Sequence, residues 1–140
     1  MSNREEKELL LRVKSQLDHI RNELKKAERF TEEKEKEHLV LSLFSIFESC
    51  INVAKDIKDS RPLTSHEEKT KYFKWYFEMG FLKEDYSDFH LKLNQYRKRA
   101  QYEQYSGAPK IPEIGSLESF LKKAKDLISE IEAMAKKVKD

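Results

Sequence analysis

Glycine and proline are scarce, with three of each among 140 residues. A sheet-based fold needs many tight turns, and these two residues supply the backbone angles that such turns demand, so a β-rich architecture is disfavoured. Cysteine occurs once, at Cys50, which excludes an intramolecular disulfide and a cysteine-based metal site. No apolar run approaches the roughly 18 residues that a membrane span requires. The N-terminal stretch MSNREEKELLLRVK carries charge on both sides of its three leucines, unlike the apolar region of a signal peptide. A cytoplasmic protein without membrane contact is therefore expected. Net charge is small too: 28 basic and 26 acidic residues leave +2. That balance gives no overall pull toward nucleic acid, so any attraction must come from a local patch. There is no glycine-rich phosphate loop, and no Ser/His/Asp or Cys/His arrangement follows from spacing.

What the chain has in quantity is charge, 39% of residues, set against 38% hydrophobic residues. The length suits one domain with one core, covering residues 1–140. The apolar residues recur at helical spacing throughout. Leu10, Val13, Leu17, Ile20, Leu24 and Ala27 mark a first helix over residues 4–29. Thr31, followed by Glu32 and Glu33, reads as the N-cap of a second. There Leu39, Leu43, Ile46, Cys50, Val53 and Ile57 form one stripe, and Val40, Phe44, Phe47, Ile51 and Ala54 fill the neighbouring face. An arc that wide predicts a central helix with partners on two sides, in this chain or in a second copy. Residues 59–65, with Pro62, break the pattern. Ser65 and Glu68 have capping-box spacing for a third helix rich in aromatics, from Tyr72 to Phe77, with Gly80 as its stop. A fourth helix is expected over about 83–105, with Tyr86, Phe89, Leu93, Tyr96 and Ala100 inward. Residues 106–115 form a loop. Ser116 reads as the cap of the last helix, whose buried stripe runs from Leu117 to Val138. The expected fold is all-α, an up-and-down bundle of about five helices.

The most informative stretch is Leu93–Tyr105, LNQYRKRAQYEQY. Leu93, Tyr96 and Ala100 share one helix face, and onto that helix the sequence loads Arg97, Lys98 and Arg99 together with Tyr102 and Tyr105. The order Arg97-x-x-Ala100-Gln101-Tyr102 resembles the signature of HEPN domains, small helical domains found beside minimal nucleotidyltransferases and in RNA-cleaving toxins. Active HEPN ribonucleases carry Arg-x4-His at this place. This chain is similar to the branch that carries Arg-x-x-Ala-Asp-Tyr, with Gln101 where aspartate is usual. The likeness extends along the chain in the order of elements: an apolar second helix, a short third helix after a Ser/His-containing segment, the Arg97 helix, a loop and a Lys/Glu-rich last helix.

The resemblance implies a HEPN-like binding module that forms a homodimer, with Arg97 and Tyr102 in a groove between two copies. It also implies a nucleotidyltransferase partner, or a nucleotide or RNA ligand, in that groove. Arg97, Gln101 and Tyr105 lie at i, i+4 and i+8 along one ridge, and Tyr102 sits about 140° around the helix from Arg97; these four are the candidate groove residues. The alternative implied by the family is a metal-independent ribonuclease toxin of a toxin–antitoxin pair, in which histidine and arginine activate the 2′-hydroxyl and steady the phosphate. Tyr102 is a poor substitute for that histidine. An ordinary phenol, with a pKa of about 10, is ionised in roughly one molecule in a thousand at pH 7, whereas imidazole can both take and give a proton near neutrality. No catalytic residue, cofactor or metal is expected. Glu35-x-x-His38 has the spacing of a di-iron half-site, but His19, His66 and His90 lack the matching glutamate that a second half would need.

Overall fold

The computed structural model describes residues 3–59, 63, 65–101, 107 and 109–139. Five helices make up the bundle: α1 (Asn3–Glu32), α2 (Lys36–Lys58), α3 (His66–Glu78), α4 (Ser87–Gln101) and α5 (Ile114–Lys139). Among the described residues there is no strand, and the all-α bundle expected from the helical periodicity is the fold. No helix is long and apolar enough to cross a membrane, among the described residues.

α2 is the central element and touches all four other helices. Thirteen of its 23 residues are buried, among them Leu39, Leu43, Ile46, Phe47, Cys50, Ile51 and Val53, each fully so. Burying one such aliphatic or aromatic side chain contributes about 1.5–3 kcal/mol, so this helix alone accounts for much of the core. Its wide apolar arc is covered within the chain, by α1, α4 and α5 above all, and needs no second copy to close it. Cys50 lies in that core, where burial, with a smaller push from Glu132, raises the thiol well above its usual range.

The ends of the helices follow local chemistry, and four of them differ from expectation, among them the start of α2, which comes at Lys36 and not after Thr31. α1 does not stop before Thr31. The Thr31 hydroxyl donates back to the Ala27 carbonyl at 2.8 Å, and the helix continues to Glu32. The reversal comes at Lys34, at φ 58°, where Lys34 N–H donates to Thr31 and Glu35 N–H to Phe30. This is a Schellman closure without glycine. The same closure ends α3 with the expected residue: Gly80 at φ 80°, its N–H on the Phe77 carbonyl and that of Phe81 on Tyr76. The Phe81 ring then packs on Tyr76 at 5.5 Å, the apolar contact that accompanies the motif. At the start of α3, Ser65 caps as expected, its hydroxyl accepting from Glu68 N–H at 3.1 Å. α4 begins four residues later than expected, at Ser87, whose N–H the Asp85 side chain accepts. α5 begins two residues before Ser116, which lies inside its first turn with its N–H on the Glu113 carbonyl.

Aromatic packing sets the relation between α2, α3 and α4. Phe47, Phe73 and Tyr86 form a triangle with centroids 6.0–6.4 Å apart, in the tilted and edge-on arrangements that ring quadrupoles favour. The Tyr86 hydroxyl donates to Glu130 of α5. Burial, and next that bond to a carboxylate, push the phenol far above its ordinary range. This corner fixes the first turn of α4 and, through it, the line along which His90, Asn94, Arg97 and Gln101 follow.

Candidate functional site

Arg97 lies at the edge of the α2–α4 interface, half-buried as its place next to the core stripe predicts. Its guanidinium is held on three sides. Nε and Nη2 donate to Asn94 Oδ1 at 3.3 and 3.0 Å, and Nη1 donates to Gln101 Oε1 at 2.7 Å. Its central carbon stands 5.0 Å from the centroid of Phe44, a cation–π distance. Asn94 is itself buried, which makes the anchor rigid. His90, two turns before Arg97 on the same face, stacks on Phe44 at 5.6 Å. Seven residues of helix rise roughly 10.5 Å, the room that one ring packed between these two side chains needs. Among the described residues no carboxylate pairs with Arg97.

Next to Arg97 lies a cluster that the sequence reading did not assemble. Glu48 of α2 receives three partners: His66 Nδ1 at 2.7 Å and Lys69 Nζ at 2.8 Å on Oε1, and His90 Nε2 at 2.5 Å on Oε2. Burial disfavours the Glu48 carboxylate and would raise its pKa. The hydrogen bonds from His90 and Lys69 and the Lys69 charge outweigh that effect and hold the group at about 2. An ionised carboxylate only accepts, so His66 carries its proton on Nδ1 and His90 on Nε2. The other nitrogen of His90 meets the Thr70 hydroxyl at 2.6 Å. That hydroxyl also reaches the His66 carbonyl at 3.3 Å, so it can donate to His90 when the ring is neutral and to the carbonyl when it is charged. His90 is wholly buried, whereas the His66 side chain is 42% exposed.

Leu41, Phe44, Ser45, Glu48, His66, Arg97 and Gln101 line one open groove of about 410 Å³, at the small end of ligand-sized pockets. Of the four expected groove residues, Arg97 and Gln101 are thus brought together; Tyr102 and Tyr105 lie outside the described residues. The basic run divides around the helix, because Arg99 lines a different, polar groove with Lys36 and Lys110. Among the described residues no group of three His, Cys, Asp or Glu side chains is arranged to hold a metal ion. The Glu35 and His38 side chains bond to each other at 2.9 Å on the surface.

Glu48, His66 and His90 are the residues that sequence reasoning missed. One signal was present: Glu48 is the single charged residue in the sixteen from Leu39 to Ala54, and a lone carboxylate in so apolar a run has to find buried partners. No known family model, curated protein or solved structure matches this chain.

Proposed function

We propose that this chain is a HEPN-like helical binding module which pairs with a second copy of itself and takes a nucleotide, an RNA or a nucleotidyltransferase partner in the groove at Arg97. The observation that supports the reading is Arg97 itself. It is a permanent cation, pre-set by Asn94, Gln101 and Phe44; the carboxylate that lines the same groove, Glu48, is bonded to His66, Lys69 and His90 rather than to Arg97. A planar guanidinium fixed in this way suits a phosphate or carboxylate supplied from outside.

In the test, a labelled short RNA carrying a 5′-phosphate is titrated into the wild type and into Arg97→Ala by fluorescence anisotropy. Loss of one fixed charge-assisted contact is expected to weaken binding about tenfold or more. Stability should fall by only about 1–2 kcal/mol, because the buried Asn94 carbonyl loses its donors but no charge is stranded. Unchanged affinity in the variant overturns the reading. A stability loss of 3–5 kcal/mol would identify Arg97 as a structural arginine instead.

The second reading, a metal-independent ribonuclease toxin, is favoured by one observation: His66 puts an imidazole into the Arg97 groove that Tyr102 could not provide. In the same titration with EDTA present, the binding-module reading expects the RNA to be recovered intact; cleavage that disappears in Arg97→Ala would reverse the order of the two.

For the pairing, support comes from α3 and its C-terminal turn. Trp75, Phe77, Met79 and Phe81 are 45%, 41%, 61% and 39% exposed, a concentration of apolar surface of the kind that interfaces cover. Trp75 and Met79 lie four residues apart on one side. Light scattering at about 100 μM should give a dimer for the wild type and a folded monomer for Trp75→Glu/Met79→Glu. A monomeric wild type would remove the second copy from the reading.

A further inference from the structure

Resting on Arg97 as a ligand residue, the geometry points to its partner in the groove and to the class of ligand the two would hold. We propose that Arg97 and His66 together grip a terminal phosphate, so that the groove takes a phosphomonoester: a nucleoside monophosphate or the 5′-phosphate of an RNA.

Both groups are packed on one ring. The Arg97 guanidinium carbon lies 5.0 Å from the Phe44 centroid and the His66 ring lies edge-on at 5.1 Å, and both line the groove. Each is oriented by bonds already made. Arginine has five N–H groups, of which Asn94 takes two and Gln101 one, leaving one on each terminal nitrogen. His66 gives its Nδ1–H to Glu48, so Nε2 is the nitrogen left for a ligand. When the ring is protonated, the groove offers three N–H donors. An unesterified phosphate terminus has three free oxygens to receive them, whereas a backbone phosphodiester or a carboxylate has two.

The arrangement makes binding depend on pH through His66. The charged and titratable groups around it are Glu48 of α2, Lys69 of its own helix, and His90 and Arg97 of α4. A phosphate bound at Nε2 places a negative charge against the ring on the side opposite Glu48. Proton uptake by His66 and phosphate binding therefore reinforce each other. With the ring neutral, Nε2 presents a lone pair to the anion and contributes nothing.

The test compares AMP with adenosine, and 5′-phosphorylated with 5′-hydroxyl RNA of one sequence, against the wild type, His66→Gln and Arg97→Ala from pH 5.5 to 8. Glutamine keeps an N–H for Glu48, so the variant is expected to fold. Because a phosphomonoester itself gains a proton near pH 6, the quantity read is the ratio of wild-type to His66→Gln affinity, from which that titration cancels. The expected ratio is about tenfold at pH 6, one charge-assisted hydrogen bond, falling to near unity at pH 8. Adenosine and 5′-hydroxyl RNA should bind at least about tenfold more weakly than their phosphorylated forms at pH 6. Preference for AMP or for the RNA end identifies which of the two sources fits the groove. A ratio that does not change with pH, or equal binding of the hydroxyl forms, overturns the proposal; if Arg97→Ala still weakens binding in that case, the reading of Arg97 survives. No binding of any probe to the wild type overturns both.

Discussion

Glu48→Ala is expected to destabilise the protein by about 3–5 kcal/mol, a large share of the whole stability of a domain this size. The cost is not the worth of the ion pairs, which desolvation largely offsets. It comes from what is left behind: the Lys69 ammonium, 14% exposed, and the fully buried His90 ring both lose their acceptor. The half-exposed His66 can turn to solvent and adds little. A second variant separates these terms. Glu48→Leu/Lys69→Met/His90→Phe removes the cluster as a unit and fills the space with apolar atoms, and it should come within about 1 kcal/mol of the wild type or exceed it. Urea denaturation measures both. A loss below about 1 kcal/mol in the single variant would mean that water already solvates Glu48 and that the cluster is not a buried network.

That cluster also marks how far the sequence could be read. The features that depend on a few neighbouring residues were legible. Ser65 and Glu68 started α3 where expected, because a cap is made within three residues. Gly80 ended it, because a left-handed residue is needed there and glycine takes that conformation without strain. The end of α1 was misread for the same physical reason in reverse: Lys34 takes the left-handed position that usually announces itself as glycine. Thr31 has the composition of a cap but spends its hydroxyl on the preceding turn. The face of α4 was only half legible. Leu93 and Tyr96 were recognised by their apolar character, whereas His90 and Asn94, equally on the buried side, were not, since a polar residue becomes a core residue only when a partner is supplied. The partners of Glu48 come from 18, 21 and 42 residues along the chain. No local pattern encodes separations of that kind. The Arg97 groove was reached through a resemblance. The histidine beside it became visible only once α2, α3 and α4 were packed around Phe44.

Acid should unfold this protein earlier than its general composition implies, and Glu48 gives the window. Its carboxyl sits at about 2 in the folded chain against an ordinary value of 4.5. A carboxylate with a lowered folded value contributes stability that is fully present above the unfolded value. It is lost as pH falls, because the unfolded chain takes up a proton that the folded chain refuses. The loss therefore begins near pH 4.5 and continues toward pH 2. A shift of this size corresponds to about 3 kcal/mol over the full range, of which about 2–3 kcal/mol should be gone by pH 2.5. Other carboxylates titrate in the same interval, so the wild-type melt alone does not isolate the effect. Glu48→Gln does, because glutamine has the size of a protonated glutamate and no charge to lose. At pH 5.5 the stability gap between wild type and variant should be large. Between pH 4.5 and 2.5 it should narrow by about 2–3 kcal/mol as the wild type gives up what the variant never had. Urea denaturation of both proteins at pH 6, 4.5, 3.5 and 2.5 measures the gap directly. A gap that stays constant down to pH 2.5 would show that Glu48 titrates alike in the folded and unfolded chains, and that the bonds from His90 and Lys69 do not hold it in its charged form.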